Sequence, residues 1–577
     1  MRVIATAGHV DHGKSTLVRR LTGMEPDRWA EERRRGLTID LGFAWTTIGG
    51  EEIAFVDVPG HERFVPNMLA GAGSAPAVLF VVAADEGWMP QSAEHLAALD
   101  AFGAERGLLV VTKADRADPA SATAAASREI AATSLGRVPA VAVSGVTGEG
   151  FDRLRMAIGE LAASLPEPDT EADVRLWIDR AFTVKGAGTV ATGTLTAGVL
   201  AVGDELMLGE DRVRVRGLQA LGTSRERVEA AARVAVNLRG APRAGIRRGD
   251  TLRTPDAWVT TAEADVRLRG AKSAELHREL VLHLGTAAVP VRIRPLGTDV
   301  ARLFLRTPLP LRAGDRGLLR DPGEHRVPAG FDVLDVRPPP LTRRGAARAR
   351  AAELAEPDLG AARLRRDGFA RAAEFRAMGL AETGERIGGW LADPAGFARL
   401  RAEAPDVVAA WAAEHPVAVG MPVETLRQHL GLPASELLTP LLAGTDLDVA
   451  DGVVRHRGAG LDPRVAAALA VLDRRFAEEP FRAPEADELR ELGLGKRELA
   501  AAVRLGRLTA IADGVVLGAG AEERAAAALA RIEQPFTVSA ARRALGTTRR
   551  VMVPLLEKLD AAGTTVPLAD GTRRTAG

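Results

Sequence analysis

The sequence contains no cysteine and no tyrosine, and aromatic residues make up only 4% of its 577 positions. Without cysteine, the chain can form no disulfide framework, no thiol nucleophile and no cysteine-ligated zinc site. No apolar run is long enough to cross a bilayer, and the first residues do not have the charged start and apolar core of a signal peptide. We therefore expect a cytoplasmic protein that does not contact a membrane.

Neither sign of charge is in excess, because 76 basic residues balance 76 acidic ones. Bulk charge therefore indicates nothing about a nucleic-acid partner, and any basic surface must be local. The hydrophobic fraction of 46% argues against global disorder. At about 100–200 residues per domain, the length predicts several domains.

The composition changes twice along the chain. In the first part, short apolar runs alternate with helical patterns, which predicts a doubly wound α/β domain. Valines and threonines then alternate with polar residues between frequent turn signals, which predicts two β-barrels. The remainder is rich in alanine, leucine, arginine and glutamate at helical spacing. The predicted domains are 1–170, 171–256, 257–340, 341–404, 405–460, 461–519 and 520–577.

A weak internal repeat runs through the C-terminal region. Leucine–glycine pairs follow one helical stretch and precede another, and aspartate–glycine pairs then mark hairpin turns. These pairs begin at Leu430, Leu492 and Leu545, and at Asp451, Asp513 and Asp570. Helix, turn, helix and hairpin is the order of a winged-helix module, so we expect tandem α+β winged helices. Ordinary helical bundles with glycine C-caps are the alternative.

A phosphate-binding pattern follows the first apolar run. The residues that fit GxxxxGK[ST] are Gly8, His9, Val10, Asp11, His12, Gly13, Lys14, Ser15 and Thr16. The glycines allow backbone N–H groups to approach phosphate oxygens, Lys14 can reach the β- and γ-phosphates, and the Ser15 hydroxyl can ligate Mg²⁺. An apolar strand before the loop and an amphipathic segment after it are the context that such a loop requires.

A second motif, DVPGH, ends another apolar run. The carboxylate of Asp57 can hold Mg²⁺ through water, and the Gly60 N–H can contact the γ-phosphate. Thr38 lies in a polar stretch between helix and strand, so the predicted Mg²⁺ ligands are Ser15, Thr38 and Asp57. His61 occupies the position of a side chain that orients the attacking water. We predict that it is catalytic, since phosphoryl transfer depends on positioning and charge stabilisation.

Two further strand ends carry guanine-recognition motifs. Thr112, Lys113 and Asp115 follow one apolar run, and the Asp115 carboxylate can accept two hydrogen bonds that guanine donates and adenine does not. Paired hydrogen bonds of this kind discriminate between bases by about 1–3 kcal/mol. Ser144 and Gly145 follow another run, where a backbone N–H can donate to guanine O6. The four motifs together predict a P-loop GTPase domain that binds GTP or GDP with Mg²⁺.

The segments GHVDHGKST and DVPGHERF resemble the elongation and initiation factor class of GTPases, which includes EF-Tu. The resemblance covers residues 1–340, with 185–193 similar to the first β-barrel of such factors. It implies that the GTPase domain and two barrels clamp an aminoacyl-tRNA. It also implies that His61 orients the water on the ribosome and that Val10 and Leu37 gate this histidine.

Within the class, the chain most resembles the selenocysteine-specific elongation factor (SelB) family. Residues 37–45 and 174–194 look like segments of that family. Thr112 stands where EF-Tu carries asparagine, which costs a side chain that braces the phosphate loop but is similar to the selenocysteine factors. Four winged helices after three EF-Tu-like domains are the bacterial plan. The resemblance implies delivery of selenocysteinyl-tRNA to the ribosome at UGA codons.

The resemblance also suggests an aminoacyl pocket formed by Asp179, Arg180 and Arg233. A selenol is an anion at neutral pH and a serine hydroxyl is not, so an arginine-lined pocket would favour selenocysteine. With serine the arginines would lack their anion, and breaking a buried ion pair costs about 3–5 kcal/mol. Ordinary ion pairs on the barrel are the alternative interpretation of these residues.

The last part of the chain is locally basic. Eight lysines and arginines but only four acidic residues lie between Arg531 and Gly577. The predicted RNA-binding residues are Arg542, Arg543, Arg549 and Arg550, around the last leucine–glycine pair, and Arg573 and Arg574 in the wing. RNA hairpins are recognised mostly through loops, bulges and backbone shape. The resemblance implies that this module binds the selenocysteine-insertion hairpin of mRNA, and a solvated helix face is the alternative.

Two other functions stay open at this point. One is a regulatory GTPase subunit of a metabolic enzyme, similar to EF-Tu, and the other is a GTPase-linked winged-helix regulator that binds nucleic acid. The pocket arginines and the basic last module favour the translation factor. We expect a monomer whose partners are selenocysteinyl-tRNA, the ribosome and the mRNA hairpin.

Overall fold

The computed structural model describes residues 1–26, 38–184, 188–240, 245–415, 418–457 and 463–576. These residues fall into two units. The first contains Met1–Gly384 and Gly389–Leu391, and the second contains Glu385–Gly388 and Ala392–Gly577. Among the described residues, no helix has the length and apolar character required to cross a membrane.

The chain starts with an α/β domain. Its elements are β1 (Arg2–Ala7), α1 (Lys14–Thr22), β2 (Gly42–Ile48), β3 (Glu51–Asp57), α2 (Val65–Ala72), β4 (Ala77–Ala83), α3 (Pro90–Phe102), β5 (Gly107–Thr112), α4 (Ala120–Ala131), β6 (Ala140–Ala142) and α5 (Phe151–Ser164). The sheet order is β2-β3-β1-β4-β5-β6. β2 runs antiparallel to β3, and the other neighbours are parallel.

Helices on both faces bury the central strands of this sheet. β1 and β4 are buried along their whole length, as continuous apolar runs in a parallel sheet should be. The carboxyl ends of parallel strands lie at one edge, where ligands bind in open α/β sheets. The loops after β1, β3, β5 and β6 carry the four predicted motifs, so the topology directs all four to that edge.

The described residues of the next region contain nine strands, seven of them in the first barrel and β9 and β13 in a separate pair. They are β7 (Arg175–Val184), β8 (Gly188–Leu195), β9 (Val199–Ala201), β10 (Glu205–Leu208), β11 (Asp211–Ala220), β12 (Thr223–Arg225), β13 (Arg227–Glu229), β14 (Ala232–Arg239) and β15 (Thr251–Arg253). Seven form a sheet ordered β10-β15-β7-β8-β14-β11-β12, and pairing of β10 with β11 closes it. Alternate residues of β14 are buried in the barrel core, which is the period expected of a half-buried strand.

Six strands form the second, closed barrel. They are β16 (Val259–Arg269), β17 (Glu279–Leu284), β18 (Ala287–Pro295), β19 (Val300–Leu311), β20 (Arg316–Asp321) and β21 (Arg326–Asp335), in the order β16-β19-β18-β17-β20-β21. The elements α6 (Ala346–Glu353), α7 (Leu359–Asp367), β22 (Phe369–Arg371) and α8 (Ala372–Met378) follow. Phe375 and Met378 are buried in the same apolar cluster as the barrel interior, so this helical segment packs on the barrel.

The C-terminal region alternates helices with short hairpins. It contains β23 (Glu385–Ile387), β24 (Trp390–Ala392), α9 (Pro394–Glu414), β25 (Met421–Pro422), α10 (Val423–His429), α11 (Leu438–Leu442), β26 (Leu447–Ala450), β27 (Val453–His456), α12 (Pro463–Glu478), α13 (Ala486–Glu491), α14 (Lys496–Arg504), β28 (Leu508–Ala512), β29 (Val515–Gly518), α15 (Ala521–Leu529), α16 (Val538–Ala544), α17 (Arg549–Ala561), β30 (Thr565–Pro567) and β31 (Arg573–Thr575).

The predicted repeat corresponds to three helix, turn, helix and hairpin units. The glycine of each leucine–glycine pair has positive φ after a helix, and the aspartate–glycine pairs lie in the turns of three antiparallel hairpins. Asp451 and Gly452 have φ of 53° and 76°, the values that a two-residue type I′ turn requires. The predicted fold class, an α/β domain followed by two barrels and winged-helix structure, is confirmed.

Candidate nucleotide site and the pocket beside it

The phosphate-binding segment forms a tight loop between β1 and α1. Gly8 has a φ of 132°, and a Cβ atom there would lie 2.1 Å from the carbonyl oxygen of Val81, so the position requires glycine. Lys14 Nζ donates to the carbonyl oxygens of Gly8 at 2.9 Å and His9 at 2.7 Å. Burial lowers the pKa of Lys14 to about 8, although nearby carboxylates oppose the shift.

The three predicted Mg²⁺ ligands lie together beside this loop. Ser15 Oγ donates to Asp57 Oδ2 at 2.7 Å and lies 2.9 Å from Thr38 Oγ1. The hydroxyl of Thr6 donates to the other carboxylate oxygen of Asp57 at 2.8 Å, which fixes the orientation of that carboxylate. Mg²⁺ prefers oxygen ligands of this kind, so the donor set fits this ion.

The loop after β3 presses against the phosphate loop. A Cβ atom on Gly60 would lie 2.4 Å from Lys14 Nζ and 2.6 Å from the backbone nitrogen of Val10, so the contact requires glycine. His61 follows as the N-cap of a short 3-10 helix (Glu62–Phe64), and its Nδ1 accepts a backbone N–H at 3.2 Å. The Gly60 contact therefore keeps His61 next to the phosphate-binding loop.

A cavity of about 250 Å³ lies at the guanine end of the site. Of the predicted residues, its lining includes Asp11, Gly13, Thr16, Thr112, Lys113, Asp115 and Gly145. The lining residues that the sequence did not single out are Leu17, Arg116, Val143, Val146 and Phe151. Buried Ser144 donates its hydroxyl to Asp115 Oδ1 at 2.5 Å, so the carboxylate is held at the cavity wall. Apolar side chains in part of the lining, together with one oriented carboxylate, suit a flat heterocyclic base.

Thr112 corrects one expectation from the sequence. Its hydroxyl donates to the carbonyl oxygen of His12 at 2.7 Å, so β5 still braces the phosphate loop although no asparagine is present. The expected loss of this brace is therefore wrong, because a buried threonine hydroxyl reaches the same loop. Neighbouring Lys113 donates to Glu86 Oε1 at 2.6 Å and lies 3.3 Å from Asp85 Oδ1.

His95 on α3 is a residue that sequence reasoning missed. It is fully buried, and its Nδ1 accepts the Gly8 N–H at 3.0 Å. This bond requires an unprotonated Nδ1, and burial together with the charge of Lys14 lowers the pKa of His95 to about 3. Burial likewise lowers the pKa of His12 to about 4. The neutral imidazole of His95 thus supports the phosphate loop from behind, and an isolated histidine on a distant helix gives no sequence signal of that role.

The three predicted pocket residues converge where the first barrel meets the α/β domain. Arg233 forms a bidentate pair with Asp179 at 2.7 and 2.8 Å, and Arg180 Nη2 lies 3.1 Å from Asp40 Oδ2. The two guanidinium groups lie 3.9 and 5.8 Å from the ring centroid of Phe43. Burial lowers the pKa of Arg233, although Asp179 opposes the shift. Each arginine therefore has an acidic partner within the chain.

Family models match four parts of this chain. The elongation factor Tu GTP-binding domain matches residues 1–164, and elongation factor Tu domain 2 matches 188–253. The β-barrel domain of selenocysteine-specific elongation factor matches 261–340, and the winged helix of elongation factor SelB matches 527–574.

Proteins of known name match part or all of this chain. A selenocysteine-specific elongation factor of Escherichia coli (strain K12) is 40% identical over 353 residues, which cover 59% of this chain and 56% of that protein. Elongation factor Tu 2 of Streptomyces avermitilis is 34% identical over 46% of this chain and 75% of its own length. The crystal structure of a bacterial selenocysteine-specific elongation factor, EF-Sec, superposes with a TM-score of 0.77 at 26% identity and covers 100% of both chains.

The chain belongs to the selenocysteine-specific elongation factors. Within this family, the aligned part spans just over half the length of the curated relatives that it matches. The region that matches the elongation factor Tu GTP-binding domain contains the whole nucleotide site described above, and the region that matches the SelB winged helix contains all six predicted RNA-binding arginines.

Those six arginines differ in their surroundings. Within the described part of the chain, no acidic side chain pairs with Arg542, Arg543, Arg549 or Arg574, all of which are exposed. By contrast, Arg550 Nη1 lies 3.0 Å from Glu485 Oε2, and Arg573 Nε lies 2.9 Å from Asp560 Oδ2. Arg549 is the first residue of α17. These four exposed arginines therefore contribute positive charge to the surface of the last module.

Two predicted features lie outside the described residues. Leu37, the second gate residue, is one of them. Residues 185–187 of the barrel segment are the other. The first gate residue, Val10, is described, and its backbone nitrogen faces Gly60.

Proposed function

We propose that this chain is a selenocysteine-specific elongation factor that delivers selenocysteinyl-tRNA to the ribosome at UGA codons, under control of GTP. The observation that carries the proposal is the convergence of Ser15, Thr38 and Asp57 beside the phosphate loop, with Asp115 at the cavity wall. This arrangement suits a guanine nucleotide, and the family's own barrel and winged-helix domains follow it in the same chain.

Lys14 and the loop N–H groups would bind the β- and γ-phosphates, and Asp115 would select guanine. Ser15, Thr38 and Asp57 would hold Mg²⁺, which when bound neutralises phosphate charge. His61 would orient the attacking water, since the adjacent Gly60 lies against the phosphate loop. Catalysis would then depend on position and electrostatics, without a covalent intermediate. We expect GTP hydrolysis to be stimulated by the ribosome.

Arg180 and Arg233 would recognise the ionised selenol next to Asp179. In the last module, Arg542, Arg543, Arg549 and Arg574 would contact the phosphates of the selenocysteine-insertion mRNA hairpin. Arg550 and Arg573, which have acidic partners, would contribute less. Exposed arginines bind RNA mainly through its backbone, so this surface would supply affinity while hairpin shape supplies selectivity.

Filter binding with the full chain tests the substrate. Selenocysteinyl-tRNA and seryl-tRNA of the same tRNA body are compared in the presence of a non-hydrolysable GTP analogue. We expect at least tenfold tighter binding of selenocysteinyl-tRNA, because a charge-assisted hydrogen bond contributes about 1.5–3 kcal/mol. Equal affinities would reject the proposed substrate.

Two variants localise this discrimination. Arg180→Met should reduce the preference for selenocysteinyl-tRNA. Arg227→Met is the matched control. This exposed arginine lies in the same region, and among the described residues its one acidic partner is Glu229 on the same strand. Loss of discrimination in the control would show that the barrel, rather than the pocket, had been damaged.

A further inference from the structure

A single carboxylate connects the Mg²⁺ side of the nucleotide site to the first barrel. Asp40 lies two residues after Thr38, whose hydroxyl is 2.9 Å from Ser15 Oγ. The Asp40 oxygens lie 3.1 Å from Arg180 Nη2 and 2.5 Å from Arg248 Nη2. Asp40 therefore forms ion pairs with two arginines of the first barrel.

Arg248 also contacts the backbone of the pocket and the segment that follows Thr38. Its Nε donates to the carbonyl oxygen of Asp179 at 3.0 Å, which holds the backbone at the pocket. Its Nη1 donates to Asn67 Oδ1 at 2.6 Å, and Asn67 Nδ2 donates to the carbonyl oxygen of Ile39 at 2.9 Å. One guanidinium group thus ties the segment after Thr38 to the strand that carries Asp179 and Arg180.

The same segment also contacts the pocket arginines directly. Arg180 donates to the carbonyl oxygen of Leu41 at 3.2 Å. Phe43, at the start of β2, lies beneath the guanidinium groups of Arg180 and Arg233. A change in the position of residues 38–43 therefore alters the charge partner of Arg180 and the ring on which both arginines rest.

We propose that Asp40 is the positioning residue that couples the bound nucleotide to the arginines of the aminoacyl pocket. The proposal rests on the function proposed above and specifies how that pocket is regulated. In GTPases, a segment ordered by the γ-phosphate and its Mg²⁺ is released on hydrolysis. With GTP, Thr38 would keep Asp40 on Arg180 and Arg248, which orients the pocket. With GDP, that carboxylate would move away and the pocket arginines would lose their anchor.

Coupling of this kind is reciprocal. If GTP increases the affinity for selenocysteinyl-tRNA by a given factor, the tRNA must increase the affinity for GTP over GDP by the same factor. Loss of Asp40 should reduce both factors together. A residue that merely stabilised the fold would lower affinities without changing their ratio.

The test measures the affinity of the full chain for selenocysteinyl-tRNA with a non-hydrolysable GTP analogue and with GDP. For Asp40→Asn, we expect the ratio of these affinities to fall at least fivefold, within the usual range of allosteric factors of about 5–150. The affinity for each nucleotide in the absence of tRNA should change less than about twofold, since Asp40 is not among the predicted nucleotide or Mg²⁺ ligands.

Two further variants make the result specific. Arg248→Met should reproduce the loss, and combining it with Asp40→Asn should add little, because both remove the same contact. Glu52→Gln is the control, since Glu52 and Arg225 form another ion pair between these domains, at 3.4 Å and half-exposed. The control should retain the native ratio.

The outcomes separate the two proposals. A native chain with a large ratio that Asp40→Asn leaves intact would overturn the coupling role and leave the proposed function in place. If the native chain binds selenocysteinyl-tRNA equally well with the GTP analogue and with GDP, the proposed function is overturned, and the coupling role with it. A fall in the ratio for Asp40→Asn and Arg248→Met alone would support both.

Discussion

At the nucleotide site, the polar side chains are bonded to one another and most are at least partly buried, whereas in the last winged-helix module the arginines are exposed. Ser15, Thr38 and Asp57 lie within hydrogen-bond distance, and Ser144 orients Asp115. Arg542, Arg543 and Arg549 project into solvent without acidic partners among the described residues. Hydrogen bonds within the nucleotide site hold its side chains in fixed positions. The exposed arginines of the last module are not held in this way and can adjust their positions to a ligand.

This difference indicates where a single substitution should matter most. Preorganised polar groups contribute most when charge develops in a site that excludes water. Exposed cations contribute through counterion release, a little at each position. We therefore expect large, specific losses at the nucleotide site and small, salt-dependent losses at the proposed RNA-binding surface.

The largest expected effect is on hydrolysis. His61→Ala should bind GTP normally but lose ribosome-stimulated turnover by about 10²–10⁴-fold, the usual contribution of a positioned side chain to proton transfer or water activation. The rate of phosphate release in a single turnover, with ribosomes present, measures this loss. His429→Ala, an exposed histidine of the C-terminal unit, is the control. If His61→Ala hydrolyses GTP at the native rate, His61 is not catalytic.

The second largest effect is expected on the selection of guanine over other bases. Asp115→Asn should weaken GTP binding by about 5–150-fold, the equivalent of about 1–3 kcal/mol. Xanthosine triphosphate should then compete better, because xanthine accepts where guanine donates. Asp118→Asn changes an exposed carboxylate on the same loop and should leave the preference for GTP intact. Unchanged competition by xanthosine triphosphate for Asp115→Asn would contradict the assignment.

A smaller effect is expected at the brace of the phosphate loop. Thr112→Val removes the hydrogen bond to the His12 carbonyl, which contributes about 0.5–1.5 kcal/mol. Nucleotide affinity, measured by titration calorimetry, should fall by up to about tenfold. Thr112→Ser keeps the hydroxyl and should restore most of the loss. If valine and serine behave alike, the brace has no role in binding.

The smallest effect is expected at the proposed RNA-binding surface. Arg549→Ala should weaken binding of the mRNA hairpin a few-fold and reduce the slope of log affinity against log salt by about 0.7–1. Arg550→Ala should do less, because Arg550 already pairs with Glu485. Arg474→Ala, an exposed arginine on α12, is the control. An effect at Arg550 larger than at Arg549 would reverse our interpretation of this surface.

The sequence predicted best what depends on strand ends and on short local patterns. The loops after β1, β3 and β5 converge because parallel strands end at one edge, and the aspartate–glycine hairpins follow from local turn chemistry. The sequence did not predict contacts between residues that are far apart in the chain. Arg248 reaches Asp40 across 208 positions, and His95 supports Gly8 from a separate helix. No periodicity or motif records such pairs.

Ion pairs between distant residues also limited the prediction at the charged sites. From the sequence, Arg180 and Arg550 are each predicted to bind a ligand beside a second arginine, yet the structure gives each an acidic partner. Whether an arginine is paired depends on which distant carboxylate the fold brings within about 4 Å, where charges interact strongly. The roles of these residues consequently stay predictions that the variants above decide.

The most direct measurement is titration calorimetry of the purified full chain with GTP, GDP and ATP in the presence and absence of Mg²⁺. If the four strand-end loops form one guanine-nucleotide site, one equivalent of GTP or GDP binds, ATP does not compete, and removal of Mg²⁺ weakens GTP binding. Binding of ATP with equal affinity, or no binding of GTP, would contradict the account.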